Sequence, residues 1–378
     1  MQIYKKSIDI FICVICVIML ACGFFSLIFA NQEMFSEKEN RALQTTPEFN
    51  FLSIIDGTFF NELSLFTTDQ FPARECFCRL SSMLDLALCR NESNGIIIAS
   101  DNYLIARHDN ESLTTLSNNL DSISDFFNST DIPAFLLLAP RTIDVEKSKL
   151  PHLFYNNYGE EVYDILYQKI QENKILNPLE KLRALSNEGM YVYYRSDHHW
   201  TSFGAYQAYL SLDEALGISP LSLEYFDIVS VTKSFLGTSY SRSLLNGEHQ
   251  DSIELFRYKS DKKLSVISPS QNEIKNSLYN FYALELKDKY QIFLGGNTDI
   301  LQIQDTHAKK PRLLIVKDSF ANSLVPFLSI HFDLDVVDLR YFKYSLSNYI
   351  KENEFNYILL VYGIETLTNE ATCERISK

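Results

Sequence analysis

The 378-residue sequence has no cluster of lysine and arginine, no paired CxxC, no internal repeat and no low-complexity tract. With no basic patch and a net charge of −14, it offers nothing to a phosphate backbone, which excludes nucleic acid as a partner. The missing CxxC pairs exclude a zinc ribbon. Histidine is sparse: His108, His152, His249, His307 and His331 show no ligand spacing, leaving only His198 and His199 beside Asp197. Adjacent side chains diverge on an extended backbone, so these three do not close a metal site, and neither metal nor cofactor is expected. Tryptophan occurs once, at Trp200, where it is expected to serve packing.

Charge is missing altogether from one stretch. Ile10 to Ala30 reads IFICVICVIMLACGFFSLIFA, long enough for ~30 Å of hydrocarbon at ~1.5 Å per residue. Lys5 and Lys6 precede it, and Glu33, Glu37 and Glu39 follow. Residues 1–9 are therefore expected in the cytoplasm, residues 10–30 in the cytoplasmic membrane as a single-pass anchor, and the remainder outside. A cleaved signal peptide fits less well, because Ala30 suits the cleavage position but Ile28, two residues earlier, is too large. The apolar run also continues past Cys22, against a lipoprotein site. Cys76, Cys78, Cys89 and Cys373 lie beyond the run, where an oxidising compartment permits a disulfide from Cys89 to Cys76 or Cys78.

Residues 31–50 are polar and read as a tether. Residues 51–378 are expected to form the extracytoplasmic domain, long enough for a substantial core. Residues 51–90 carry helical periodicity. Ile96–Ile105 reads as a hairpin turning at Ser100-Asp101-Asn102. An α/β pattern follows: a helix over Leu113–Phe127, a buried strand over Ala134–Ala139, helices over Glu160–Glu172 and Leu179–Asn187, and a strand over Met190–Tyr194. Thr201 or Ser202 can cap a helix running to about Leu216. The last third alternates regularly, with strands over Arg312–Val316, Asp335–Leu339 and Tyr357–Tyr362 and helices over Ser319–His331 and Tyr341–Glu352. That rhythm implies right-handed crossovers and a parallel sheet flanked by helices. Residues 217–290 are polar and read as a loop-rich insertion capping one edge.

Two segments carry chemistry, and both fall at carboxyl ends of expected strands, where α/β sheets bind ligands. Asp197 and His199 sit two residues apart, so on an extended backbone they point to one side. Ser319 opens a helix-like stretch. An aspartate that orients a histidine, and a histidine that deprotonates a serine, are the parts of an acyl-transfer site. The amides of Ser319 and Phe320 are candidate oxyanion donors at the helix start, while Asp318 is equally placed to cap that helix. Gly296 and Asn297 offer either a second oxyanion donor or an ordinary turn. Arg141, Arg195 and Arg340 lie at strand ends, where each can hold a substrate anion or pair with an acid, and Tyr341 can join a pocket wall.

SDHHWTSFGAYQAY (196–209) and LLIVKDSFANSLVPFL (313–328) resemble the DHHW family, itself similar to the SGNH-like alginate O-acetyltransferase proteins of bacterial envelopes. The resemblance continues through ENRALQTTPEF (39–49), DGTFFNELSLFTTDQFPAR (56–74), FLGTSYSRS (235–243), FLGGN (293–297) and VVDLRYF (336–342). It implies an SGNH-hydrolase-like fold with Ser319, His199 and Asp197 as the triad, Asp–His preceding Ser as in the alginate acetylation proteins. It further implies O-acetylation of a cell-envelope or exopolysaccharide glycan, with acetyl groups supplied by a membrane-bound O-acyltransferase partner. A carbohydrate acetyl esterase with the same triad, or a non-catalytic glycan-binding or assembly protein, are the alternatives. No carbohydrate-binding module is evident.

Overall fold

In a computed structural model, the apolar runs of the last third lie side by side at the centre of a sheet. The structure describes residues 10–15, 17, 18, 21, 23, 25, 32–36, 39, 41–108, 111–152, 154, 158–260 and 263–376. The chain divides into two compact units, Met1–Arg90 and Asn91–Lys378.

The strands of the second unit are β1 (Glu92–Ser93), β2 (Ile96–Ile98), β3 (Leu104–Ala106), β4 (Ala134–Ala139), β5 (Ile175–Leu176), β6 (Phe226–Phe235), β7 (Asp251–Tyr258), β8 (Leu264–Ser268), β9 (Glu273–Lys275), β10 (Ile300–Asp305), β11 (Arg312–Lys317), β12 (Asp333–Val337) and β13 (Tyr357–Gly363). Eight form the main sheet, in the order β9-β8-β10-β12-β11-β13-β4-β5. From β12 to β5 the neighbours are parallel, and from β12 to β9 they are antiparallel. The continuous apolar runs of β11 and β13 arise because both faces of the sheet are covered. Leu313 and Ile315 pack into one core with Trp200, Tyr206 and Phe320. Leu314 and Val316 pack into the other with Leu116, Leu120 and Ile123. Those last three lie on α1 (Leu113–Ser129), spaced for one helix face and capped by the Ser112 hydroxyl, which accepts from the Thr115 amide at 3.1 Å. Each fully buried aliphatic side chain is worth about 1.5–3 kcal/mol, so the four of β11 fix the strand that delivers Ser319.

The expected parallel sheet is present, with differences that have local causes. The 217–290 segment is not a separate cap: β8 and β9 extend the main sheet, and β6 and β7 pair with each other. β8 has alternating burial with Val266 in the core, so it lacks the apolar run that marks the central strands. Met190–Tyr194 is not a strand. It makes one bridge, Tyr193 to Trp200, that closes a bend over Arg195–His199. The expected helix over Ser319–His331 is a 3₁₀ turn, Ser319–Ser323, followed by a single helical turn, Val325–Leu328, with Pro326 near its start. The helix expected over Tyr341–Glu352 begins at Leu346, capped by Ser345.

In the first unit, helices Phe51–Ile55, Thr58–Asp69 and Arg74–Ala87 follow a two-stranded pairing of Phe35–Ser36 with Arg41–Ala42. Arg41 and the Gln44 amide both donate to Asp69, each at 2.9 Å. Among the described residues no helix is long and apolar enough to cross a membrane, and much of the expected 10–30 span lies outside them. Cys76, Cys78, Cys89 and Cys373 are free thiols, so the permitted disulfide is not formed.

Candidate active site

Asp197, His199 and Ser319 converge at the carboxyl end of β11. His199 Nδ1 lies 2.5 Å from Asp197 Oδ1, and His199 Nε2 lies 2.7 Å from Ser319 Oγ. A carboxylate only accepts, so Nδ1 carries the proton and Nε2 turns its lone pair to the serine hydroxyl. The pair meets through a bend rather than through the extended backbone expected. Asp197 Oδ1 also accepts the His199 backbone amide at 3.0 Å, an Asx-type turn that sets the aspartate against its own histidine. The other oxygen, Oδ2, accepts from the Thr238 amide at 2.8 Å and the Thr238 hydroxyl at 3.0 Å. Gly237 makes that approach possible, since a Cβ there would lie 2.2 Å from the Cβ and Oδ2 of Asp197.

Both charges are tuned by burial and by each other. Burial opposes ionisation of Asp197, but the His199 and His198 imidazoles and the Thr238 amide hold its pKa well below the carboxylate range. Burial, reinforced by the neighbouring His198, depresses the pKa of His199 despite the pull of Asp197, so the imidazole stands neutral as a base.

The nucleophile sits in a braced turn. Asp318 caps the 3₁₀ turn, its Oδ1 accepting the Phe320 amide at 2.9 Å. Its Oδ2 accepts from the Gly363 amide and the Thr366 hydroxyl, both at 2.7 Å, tying the end of β11 to the end of β13. Trp200 Nε1 reaches across to the Phe320 carbonyl at 3.1 Å and Ser323 Oγ at 3.0 Å. The lone tryptophan therefore fastens the bend carrying the base to the turn carrying the serine, beyond the packing role expected. Tyr290 stacks on His199, with ring centroids 4.0 Å apart and planes within 11°.

The secondary candidates divide. The Phe320 amide is spent on Asp318, so it is not free to hold an oxyanion. The Ser319 amide opens the turn and has no acceptor among the described residues. Gly295 and Gly296 turn with φ of 81° and 94° and place Asn297 beside β11. Lys317 Nζ, at 2.8 Å, and Asn322 Nδ2, at 3.2 Å, both donate to Asn297 Oδ1, which leaves the Asn297 amide nitrogen as the outward donor. Burial, offset by Asp338, lowers the pKa of Lys317 to about 8.

Two of the three arginines are not free anion posts. Arg141 is buried between Asp144 and Glu111, and Arg340 is paired with Asp338. The Arg195 guanidinium lies over the Tyr191 ring at 4.8 Å. Tyr341 is exposed on a shallow cleft shared with Asn297. Asp197, His198 and His199 also gather potential metal-ligand atoms within 4.8 Å of one another. Both ring nitrogens of His199 and both oxygens of Asp197 already have protein partners. The Thr238 hydroxyl gives its hydrogen to Asp197, so His198 Nδ1, 2.6 Å away, must donate to it. One imidazole nitrogen remains, too little for a metal. Tyr290 and Thr238 escape sequence reading because both lie in the polar 217–290 segment, where only the Gly237-Thr238 pair hints at a close approach.

A fold that sets Asp, His and Ser at the carboxyl edge of a mostly parallel sheet defines a class, and the sequence assigns the chain within it. A family model described as "DHHW protein" matches residues 138–337, more than half of the chain, and the chain belongs to that family. A DHHW family protein from Eubacterium siraeum has the same fold, with a TM-score of 0.61 and 20% identity over 75% of this chain and 95% of that one. Bacillus cereus PatB1, solved with a sulfonyl adduct, gives 0.62 and 19%, covering 74% of this chain and 99% of its own. The O-acetyltransferase domain of Pseudomonas putida AlgJ aligns at 14% identity with a TM-score of 0.44, too low to bear on the chemistry. No curated protein matches the sequence.

Proposed function

We propose that the protein is an SGNH-like serine O-acyltransferase that acetylates a glycan of the cell envelope, held at the outer face of the cytoplasmic membrane by residues 10–30. The contact of His199 Nε2 with Ser319 Oγ at 2.7 Å, backed by Asp197, is the observation that carries this reading. Ser319 Oγ attacks the acyl carbonyl while His199 takes its proton and Asp197 stabilises the imidazolium. The Ser319 amide and Asn297 Nδ2 hold the developing oxyanion. His199 returns the proton to the leaving group, and the acyl group rests on Ser319. A glycan hydroxyl then gives its proton to His199 and attacks the acyl-serine, and His199 passes that proton to Ser319 Oγ as the acyl–oxygen bond breaks, restoring the serine. Every proton moves between these groups, and no cofactor is needed. The donor outside the cytoplasm is an acetyl group delivered by a membrane-bound O-acyltransferase partner. With water in place of the glycan, the same site is an esterase.

The sulfonyl adduct of PatB1 suggests the probe. Phenylmethanesulfonyl fluoride should add one sulfonyl group to the wild-type chain by intact mass, with loss of fluoride, and none to Ser319→Ala. Ser319→Ala should also lower 4-nitrophenyl acetate turnover by ~10³-fold or more. Equal labelling of the two proteins would overturn the assignment.

A further inference from the structure

A cleft of about 630 Å³ runs along the antiparallel side of the sheet, between the β8–β9 hairpin and the segment 294–298. That size is typical of ligand sites, roughly 300–1,000 Å³. It is joined to the active centre by one stretch of chain: Tyr290 stacks on His199, and seven residues later Asn297 lines the cleft while bonding Lys317. Lys317 and Ser319 point to the same side, because Asp318 between them is extended.

The chemistry of the walls selects among ligands. Glu273 and Lys275 are the only charged lining residues among those described, and they pair with each other at 2.7 Å. The other polar groups, including Gln271, Asn276 and Asn280, are neutral amides and hydroxyls. Phe281 presents its ring on one side at 53% exposure, a flat apolar surface of the kind that accepts the C–H face of a pyranose. Ser268, only 4% exposed, also lines the cleft, and its hydroxyl has no partner among the described residues. That oxygen is closed off from the cleft as well, so Ser268 belongs to the packed wall and supplies no contact to a ligand. A polyanion would meet no unpaired cation in the cleft and a protein of net charge −14 around it.

We infer that this cleft is the acceptor site and that the acceptor is an uncharged pyranose polymer rather than a polyuronate. The inference rests on the acyl-transfer reading for the word acceptor; the cleft's preference for a neutral glycan stands apart from it.

The test titrates the full-length chain with cellohexaose, hexa-N-acetylchitohexaose and hexagalacturonate, following binding by saturation-transfer NMR and calorimetry. At least one neutral hexasaccharide should bind and accelerate 4-nitrophenolate release by drawing off the acyl group, whereas hexagalacturonate should do neither. Phe281→Ala should weaken neutral binding at least tenfold, with sulfonyl labelling of Ser319 unchanged. Asn276→Lys should create binding of hexagalacturonate. Binding of the uronate by wild type, no binding of either neutral hexasaccharide, or full affinity in Phe281→Ala would overturn the inference. A wild type that binds the neutral glycan but takes no sulfonyl group would instead defeat the acyl-transfer reading and leave the cleft standing.

Discussion

At the residue scale, the site depends on how tightly Asp197 is held against His199. Gly237→Ala puts a methyl group on the carboxylate, and the clash runs the length of the side chain, from Cβ to Oδ2. Ester turnover in that variant should fall by ~10²-fold or more, approaching the loss for a misoriented triad. Stopped-flow kinetics with 4-nitrophenyl acetate would check it. A second expectation concerns pH. His199 works as a base only when neutral, so kcat/KM should be lost as pH falls through its pKa, which burial and His198 place below the ordinary value of about 6.5. His198→Gln removes the neighbour that opposes protonation of His199, so His199 keeps its proton to higher pH and the acid limb should move upward. A limb unmoved in the pH profile would count against that coupling. Asp197, His199 and Ser319 could be singled out because residue type and spacing are local properties, and the fold brings the three within hydrogen-bond reach. The Phe320 amide was misread because a single carboxylate, Asp318, takes it, and the cap and the oxyanion donor compete for one N–H.

At the scale of elements, the binding of a bend to a turn matters more than either alone. Trp200→Phe keeps an aromatic ring in the core but leaves the Phe320 carbonyl and Ser323 hydroxyl without that donor. The cost should be about 1–3 kcal/mol in stability. A lowered Tm by calorimetry, together with reduced kcat at nearly constant KM, would show that the link positions the serine. Central strands such as Ala134–Ala139 and Arg312–Lys317 were legible because burial on both faces writes a continuous apolar run. Leu264–Ser268 and Glu273–Lys275 were not: the first, next to the edge, buries only alternate residues and the second, at the edge, buries none, so both resemble loops in composition. Met190–Tyr194 misled in the opposite sense: its aromatics are buried by tertiary packing, Tyr194 against Phe235 and Tyr290, without a ladder to join.

For the whole molecule, the two compact units carry separate expectations. The segment 91–378 contains the entire sheet, both cores that cover it and the three reacting residues, so it should fold without residues 1–90 and still take one sulfonyl group at Ser319. An unfolded or unlabelled fragment by circular dichroism and mass spectrometry would argue that the first unit completes the site. Deleting residues 1–30 should move the protein from the membrane to the soluble fraction on fractionation. The bend closed by the Tyr193–Trp200 bridge has a consequence of a different kind. Aspartate and histidine arrive already assembled within three residues, so the tertiary structure has one further distance to satisfy, from His199 to a serine 120 positions away. An eight-residue loop of this sort, Tyr193 to Trp200, is a portable part: grafted beside another strand that ends in an aspartate-capped serine, with a tryptophan to set the gap, it would bring its own geometry to a scaffold that never evolved one.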